Sequence, residues 1–216
     1  MKIIKASAEI ITPINREQIL AHLEAVGRTC YQSEPKGDSG SFVQGLIKRG
    51  HEAIIEHASL SVRFIVDRGI SHEIVRHRVA SFAQESTRYC NYSKDGFGNE
   101  ITVILPFYWW MFVDVKKDIE YEAWKISCEQ AETAYFKLLE KGAAPQQARA
   151  VLPNSLKTEL IMTANLREWR HFFKLRALGT TGKPHPQMVE VALPLFKEMK
   201  SALPEIFFDM EEPSHV

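Results

Sequence analysis

The chain has 216 residues, of which 45% are hydrophobic and 25% charged, and its 27 basic and 27 acidic side chains cancel to a formal net charge of zero. This composition is typical of a globular protein with one sizeable core, and it excludes a general nucleic-acid or membrane-surface binder, which would show a basic excess. Cys30, Cys90 and Cys128 are odd in number and far apart, which favours a reducing compartment over a disulfide framework. The residues after Met1 turn polar at once, so we expect no secretory signal and a cytoplasmic location.

Alternating apolar and polar residues predict several short strands. The clearest is formed by Leu60, Val62, Phe64 and Val66, where apolar residues recur at every second position. Residues 156–164 fit either a strand or a buried helix, because periodicity does not decide between them. The other predicted strands lie at 3–11, 89–92 and 101–105.

Capping residues and apolar periodicity predict the helices. Asn15 caps a helix that Gly27 closes. Asn165, with Glu168 three residues later, predicts a capping box for a helix that ends at Arg176. The other predicted helices lie at 42–50, 71–78, 115–141, 145–152 and 186–202.

The longest predicted helix spans 115–141 and ends at Gly142. Its apolar side chains share one stripe, formed by Ile119, Ala123, Ile126, Ala134 and Leu138. Helices and strands follow one another without regular alternation, which favours an α+β fold over a doubly wound sheet. We expect a single domain over residues 1–216, in which a mixed, mainly antiparallel sheet packs with helices.

The most informative motif is the run Arg76-His77-Arg78, which Ser86 and Arg88 follow in the segment RHRVASFAQESTRY. Guanidinium groups match phosphate and carboxylate oxygens bidentately. The cluster therefore favours a site for a phosphorylated small molecule over a solvated basic face.

The helix that begins after Asn165 places Arg176 on the same face as Trp169, Phe172 and Phe173. An arginine on an apolar face needs an acid partner or a ligand, whereas one just past the helix end points to water, and spacing alone leaves both open. The opposite face is predicted to be polar and is formed by Arg167, Arg170, His171 and Lys174.

Two histidines near residue 50 suggest a metal site, but their spacing argues against one. His51 and His57 lie six residues apart and would diverge on a helix, unlike the pair in H-E-x-x-H. A metal-dependent nucleotide hydrolase that uses His51, Glu52 and His57 is an alternative hypothesis, and a non-catalytic nucleotide sensor is another.

The order RHR, seven residues and then Ser resembles the signature of the flavin-dependent thymidylate synthases, with Ser86, Thr87 and Arg88 in register. The resemblance implies reductive methylation of dUMP to dTMP, with 5,10-methylenetetrahydrofolate as carbon donor and NADPH as reductant through bound FAD. It also implies a homotetramer whose sites are shared between subunits. A cysteine nucleophile is not expected, because no cysteine lies in a P-C-[HQ] segment. No metal is implied.

The resemblance also implies the site residues, with Arg176 as the catalytic residue that contacts the pyrimidine and favours its ionised form. The implied flavin-binding residues are His51, Ala53, Arg76, His77, Arg78, Gln84, Asn165, Arg167 and His171. The implied dUMP-binding residues are Glu73, Arg76, Gln84, Glu85, Ser86, Thr87, Arg88, Arg149 and Arg176. The chain departs from many relatives at Ala53, Gln84 and His171, where Ser or Thr, Glu and Asn occur.

Overall fold

The computed structural model describes residues 1–30, 32–110 and 119–212, with the side chains of all of these except Asp95 and Trp110. The strands are β1 (Lys2–Ile4), β2 (Ser7–Ile10), β3 (Ser59–Asp67), β4 (Ala80–Gln84), β5 (Thr102–Ile104) and β6 (Lys157–Asn165). The helices are α1 (Arg16–Thr29), α2 (Ser39–Lys48), α3 (Arg68–Ile74), α4 (Phe107–Trp110), α5 (Ile119–Glu140), α6 (Pro145–Ala148), α7 (Leu166–Arg176), α8 (Pro186–Ala202) and α9 (Pro204–Phe207). Short 3-10 helices cover Glu52–His57, Asp95–Phe97 and Arg149–Val151. Within the described ranges, no helix has the length and apolarity that a membrane span requires.

The contacts between residues divide the chain into two compact units. Unit 1 consists of Met1–Ser7, Phe64–Arg76 and Ala83–Leu160. Unit 2 consists of Ala8–Arg63, His77–Phe82 and Ile161–Val216. A single domain over the whole chain stays a prediction.

The strands form two sheets. One is the parallel pair β1–β5, and the other has the strand order β2-β3-β6-β4. The backbone N–H of Leu166 donates to the Ala58 carbonyl, and that of Arg68 donates to the Asn154 carbonyl, at 2.9 Å each. These two bonds join opposite ends of β3 and β6, so the two strands run antiparallel.

Two strand predictions are corrected by the pairing. The alternating run 3–11 is not one strand, because β1 pairs with β5 whereas β2 belongs to the larger sheet. The segment predicted as a strand at 89–92 is a turn, in which the Tyr89 and Cys90 N–H groups both donate to the Ser86 carbonyl. Strand β4 lies instead within the stretch predicted as mostly loop. The undecided segment 156–164 is a strand, since every second residue of β6 is buried.

The predicted start of the first helix is confirmed, but its predicted end is wrong. Asn15 caps α1 as predicted, because its side-chain oxygen accepts from the Gln18 N–H at 3.0 Å. Gly27 does not end the helix, which continues to Thr29. A Cβ at position 27 would lie 2.9 Å from the Phe42 ring, so this glycine allows α1 and α2 to approach closely.

Helix α3 begins and ends earlier than predicted. Its N-cap is Asp67, whose carboxylate accepts from the Ile70 N–H at 2.7 Å, and its last residue is Ile74. The helix begins before the predicted start at Ser71, because the Asp67 carboxylate accepts from one of the first backbone N–H groups, which have no partner within the helix. Residues 76–78 therefore lie beyond the helix and are not held at helical spacing.

The apolar stripe predicted for the longest helix does not face the core of unit 1. Ile119 is 86% exposed and Ile126 is 50% exposed, whereas the buried residues of α5 are Cys128 and Tyr135. Periodicity shows that a helix has an apolar face but not what covers that face. The predicted start at Val115 lies outside the described residues.

The core of unit 2 is aromatic and centres on α7. Trp169, Phe172 and Phe173 are fully buried and pack with Phe196 of α8 and Phe207 of α9. The Trp169 indole N–H donates to the carbonyl of Leu60 in β3. Rotation of α7 is therefore fixed on its buried side, which fixes the direction of its polar side chains.

Candidate functional site

The Arg76-His77-Arg78 run leaves α3 as an irregular segment in which the side chains differ in exposure. The two arginines are exposed, whereas the His77 side chain is only 2% exposed. Arg76 belongs to unit 1, and His77 and Arg78 belong to unit 2. The run is therefore not a uniform cationic surface, because its central residue is buried.

Both ring nitrogens of His77 are engaged in hydrogen bonds within unit 2. Nδ1 lies 2.8 Å from Oε1 of Glu168, and the Arg176 Nε–H donates to Nε2 at 3.2 Å. An arginine Nε is always a donor, so Nε2 must accept and Nδ1 must hold the proton that it donates to Glu168. Burial lowers the pKa of His77, which keeps the imidazole neutral and able to accept.

Arg176 is the last residue of α7 and is half-buried. It shares the helix face of Phe172 and Phe173, as the sequence predicts, and one acceptor for its Nε is the imidazole of His77. Because the imidazole is neutral, this contact adds no negative charge beside the guanidinium.

Glu168 is a site residue that sequence reasoning assigned only to a capping box. Half of that box is present, because the Asn165 side chain accepts from the Glu168 N–H at 2.8 Å. The Glu168 carboxylate, however, accepts from His77, and the residue is buried, with 8% of its surface exposed. The spacing that indicates a cap is the same whether the carboxylate turns back to the helix or outward to an imidazole, so the sequence held no signal for this role.

Arg170 shares a face of α7 with Arg167, His171 and Lys174, as predicted, but it is buried. The residue is 1% exposed, and its side chain donates to both carboxylate oxygens of Asp209, at 2.7 and 2.8 Å. It also donates to Glu52 at 3.1 Å and to the Ile206 carbonyl. Its partners lie far away in sequence, which is why helical spacing did not reveal the burial.

A cavity of about 370 Å³ opens beside these residues in unit 2. Its polar lining residues are Glu52, Glu56, Asn165, Arg167, Glu168, Arg170, His171 and Lys174. Three predicted flavin ligands, Asn165, Arg167 and His171, therefore lie together. His51 and Ala53 are exposed at the start of the 3-10 helix, and Arg78 is also exposed, but none of the three is among the lining residues.

The donor set of this cavity fits the diphosphate of a dinucleotide cofactor. Arg167 is half-exposed and pairs with Glu56, so its guanidinium lies at the surface of the cavity, where Lys174 and His171 add donors. Cationic and imidazole donors of this kind bind phosphate oxygens through charge-assisted hydrogen bonds. The acids Glu52 and Glu56 reduce the net charge there, because both pair with arginines.

Among the described residues, one group has the proximity that a metal site needs. Ligand atoms of His77, Glu168 and His171 lie within 4.8 Å of one another. Both ring nitrogens of His77 are already bonded, and Arg176 brings a positive charge to one of them. We therefore assign no metal to this group. His51, Glu52 and His57 do not form such a group within the described ranges.

The second set of predicted residues lies in unit 1, where a turn follows β4. The Arg149 guanidinium donates to the Thr87 hydroxyl at 3.3 Å, and Arg88 Nε donates to the Gln146 side chain at 3.1 Å. The Ser86 hydroxyl accepts from the Arg88 N–H at 3.3 Å. Both arginines are exposed, and the two side-chain bonds link the turn to Gln146 and Arg149, which lie 58 and 62 residues further along the chain than their partners.

Two other residues of this segment are held by the chain itself. The Gln84 amide donates to the hydroxyls of Ser71 and Thr158 at 3.0 and 3.2 Å. The Glu85 carboxylate accepts from Lys157 Nζ at 2.7 Å and from the Tyr92 hydroxyl at 3.0 Å. Their internal bonds indicate that they brace the turn, and direct contact with a ligand stays a prediction for both.

The remaining predicted residues of unit 1 are Glu73 and Arg76. Glu73 is half-buried in the last turn of α3, and Arg76 is exposed just beyond it, with its backbone N–H bonded to the Glu73 carbonyl at 3.2 Å. The backbone holds the two residues close together. Their contacts to a nucleotide stay predictions.

Comparison with known proteins supports a nucleotide-modifying enzyme. The model of the Thy1 family, described as thymidylate synthase complementing protein, matches residues 15–205. A flavin-dependent thymidylate synthase of Mycobacterium sp. (strain JLS) is 30% identical over 217 residues, which cover 88% of this chain and 80% of that protein. One from Pyrococcus furiosus is 36% identical over 154 residues, which cover 69% of this chain and 58% of that protein.

Solved structures show the same fold. The crystal structure of a UMP/dUMP methylase, PolB from Streptomyces cacaoi, bound with 5-Br dUMP, has a TM-score of 0.76 and 21% identity, and the match covers 95% of each chain. The same protein bound with 5-Br UMP gives a TM-score of 0.75 at 19% identity. At these identities the likeness concerns the fold alone, and it confirms the predicted α+β class.

Proposed function

This chain belongs to the Thy1 family of thymidylate synthase complementing proteins, and from this we propose that it is a flavin-dependent thymidylate synthase. The proposed reaction is the reductive methylation of dUMP to dTMP, with 5,10-methylenetetrahydrofolate as carbon donor and NADPH as reductant through FAD. The observation that supports it best is the turn at Ser86 and Thr87, where the exposed Arg149 guanidinium donates to the Thr87 hydroxyl and exposed Arg88 follows in the chain.

The two exposed arginines at this turn, Arg88 and Arg149, suit the phosphate of dUMP. A phosphate monoester is close to a dianion at neutral pH, and two guanidinium groups supply several parallel N–H donors to it. The hydroxyls of Ser86 and Thr87 can rotate from their internal bonds to donate to the same oxygens. Exposure of the arginines allows a charged nucleotide to reach them from solvent.

The residues proposed to hold FAD are the set that the family resemblance implies. Arg167, His171 and Asn165 line the cavity of unit 2, and the remaining proposed contacts come from His51, Ala53, Arg76, His77, Arg78 and Gln84. When bound, the flavin supplies the redox chemistry of the reaction, while the protein supplies binding and orientation. Internal hydrogen bonds occupy polar atoms of two of these residues, His77 and Gln84.

Arg176 is proposed to stabilise negative charge on the uracil ring, which replaces activation by a protein nucleophile. The thiols are poorly suited to such a role. Burial raises the pKa of Cys90, and burial raises that of Cys128 to about 11, so neither forms much thiolate at neutral pH. Cys30 is exposed, and none of the predicted site residues adjoins it in sequence.

We also propose a cytoplasmic homotetramer with sites shared between subunits. The exposed apolar side chains of α5 support an association surface, since Ile119, Ile126 and Leu138 are 86%, 50% and 37% exposed. Sedimentation velocity tests the proposal. A tetramer that dissociates when Ile126 becomes Asp is expected, and a monodisperse monomer at micromolar concentration would contradict it.

The experiment that tests the function combines spectroscopy with product analysis. We expect the purified protein to show a flavin absorption band, or to gain one with added FAD, and to oxidise NADPH at a rate that dUMP changes. With 5,10-methylenetetrahydrofolate, chromatography should detect dTMP. UMP in place of dUMP shows whether a 2′-hydroxyl is tolerated. A protein that binds no FAD and forms no dTMP would exclude this function.

Matched arginine variants test the phosphate site. Arg88→Ala should weaken dUMP binding by about 10- to 100-fold, because a charge-assisted contact is lost. Arg63→Ala is the control, since Arg63 pairs with Glu9 and is not among the site residues. Equal affinity of the Arg88 variant and the wild-type protein would remove Arg88 from the site.

The alternative of a metal-dependent nucleotide hydrolase receives less support from the geometry. The Glu52 carboxylate accepts from buried Arg170 and lies 3.7 Å from Arg167, so it already has cationic partners. A hydrolase predicts loss of activity with a chelator and a colourless protein. The same absorption spectrum therefore separates the two functions.

A further inference from the structure

The hydrogen-bond chain Glu168–His77–Arg176 gives Glu168 a role that the family resemblance does not assign. We propose that Glu168 is a positioning residue that acts through His77 to orient the Arg176 guanidinium for its contact with the pyrimidine. This inference rests on the proposed function in one respect, namely that Arg176 contacts the nucleotide ring.

The first step is the choice of tautomer. Glu168 Oε1 lies 2.8 Å from His77 Nδ1, and a buried carboxylate favours the imidazole form with its proton on Nδ1. Without that carboxylate, the hydrogen bond from Arg176 is the one described hydrogen bond that still favours Nδ1–H, and a guanidinium that turns away from the ring removes it. The other neutral tautomer would direct an N–H at the Nε–H of Arg176, 3.2 Å away, and two donors would then oppose each other.

The second step is the orientation of the guanidinium. A guanidinium is planar, so a bond from Nε to a fixed ring defines both its plane and the edge that a further acceptor meets. That edge consists of the two Nη groups, whose parallel donors suit a carbonyl oxygen beside a ring nitrogen. His77 is itself held in place, because its ring packs on Phe172 at a centroid distance of 5.0 Å.

The hydrogen bond from Arg176 also requires that the His77 ring be neutral. Glu168, Arg176 and His171 act electrostatically on the ring, and all three lie in α7. Burial lowers the pKa of His77, the Glu168 carboxylate raises it, and Arg176 lowers it. A protonated imidazole has no acceptor for Arg176, so the arrangement works only with the neutral ring.

A purely structural role for Glu168 is distinguishable from a positioning role. The helix cap uses the backbone N–H of Glu168 and the side chain of Asn165, so changing the Glu168 side chain leaves the cap intact. Glu168→Gln retains a carbonyl oxygen that can accept from His77 Nδ1–H, and Glu168→Ala removes it. The two variants therefore form a matched pair.

The first measurement is the tautomer of His77 by 15N NMR of histidine-labelled protein, with the resonance assigned by its loss in His77→Gln. The wild-type protein and Glu168→Gln should show Nδ1–H, and Glu168→Ala should shift toward Nε2–H. An Nε2–H tautomer in the wild-type protein, or an unchanged tautomer in Glu168→Ala, would overturn the proposal. This measurement needs neither FAD nor turnover.

The second measurement is dUMP affinity by calorimetry in a double-mutant cycle with Arg176→Ala. Glu168→Ala and Arg176→Ala should each weaken binding about tenfold, the double variant should bind no more weakly than either, and Glu168→Gln should bind within about threefold of the wild-type protein. If the losses of dUMP affinity in the two single variants multiply in the double variant, the two residues act independently and the proposal is overturned. If the wild-type protein binds dUMP but forms no dTMP, the proposed function fails while this cycle still decides the role of Glu168.

Discussion

Asp209→Asn is the substitution for which the structure gives the clearest expected cost. The Asp209 carboxylate accepts two hydrogen bonds from the Arg170 guanidinium, at 2.7 and 2.8 Å, and the Arg170 side chain is 2% exposed. Breaking a buried ion pair by removing one partner typically costs 3–5 kcal/mol, roughly, because the other charge stays buried.

Two features of this pair reduce that cost. The Asp209 side chain is 41% exposed, so water screens the interaction and can replace part of it, and Glu52 still accepts from Arg170 at 3.1 Å. We therefore expect Asp209→Asn to lower the free energy of unfolding by about 2–3 kcal/mol.

Urea unfolding at fixed protein concentration measures this change, with Glu9→Gln as the control. Glu9 pairs with Arg63, and both side chains are well exposed, at 66% and 40%, so the control should change the unfolding free energy by less than about 0.5 kcal/mol. If Asp209→Asn lowers the free energy of unfolding no more than Glu9→Gln does, the ion pairs of Arg170 with Asp209 and Glu52 do not stabilise the protein, and our reasoning is wrong.

The same pair predicts a dependence on pH. The hydrogen bonds from Arg170 hold the pKa of Asp209 below its ordinary value of 3.8. A carboxyl with a lowered folded-state pKa contributes stability above its unfolded value, and this contribution is lost as the pH falls through the folded value. The stability difference between the wild-type protein and Asp209→Asn should therefore be constant near neutrality and shrink below about pH 4.

Three further predictions follow from burial and close packing. Gly27→Ala should destabilise the protein by about 1–3 kcal/mol in urea unfolding, because the new Cβ would lie 2.9 Å from the Phe42 ring, and an unchanged midpoint would show that the ring moves freely. After alkylation at about pH 8, mass spectrometry should find Cys30 modified and Cys128 unmodified unless the protein is first denatured. The reason is that Cys128 is buried, and burial raises its pKa to about 11. Equal labelling of the two cysteines in the native protein would refute this. Burial lowers the pKa of His77 from 6.5, so below about pH 6.5 the unfolded chain binds a proton more readily than the native protein does, and the free energy of unfolding should fall as the pH drops. His77→Gln should reduce this dependence on pH. An equal dependence in both proteins would show that other groups cause it.

Local features of the chain were predictable because their causes are local. The caps at Asn15 and Asn165 and the bounds of α8 follow from hydrogen bonds and apolar spacing within a few residues. The cluster around Arg76 to Arg88 indicated an anion site because arginine geometry suits phosphate wherever the fold places it. The RHR motif also indicated the family, to which the chain belongs.

The burial of His77 and Arg170 is decided by the packing of distant segments against each other. His77 is buried between Glu168 and Arg176, which lie 91 and 99 residues further along the chain. Arg170 has partners 118 and 39 residues away, so a residue at a polar position of its helix is buried. Helical spacing reports which residues share a face, but burial of a charge depends on whether an opposite charge arrives from elsewhere, and that is decided by long-range packing.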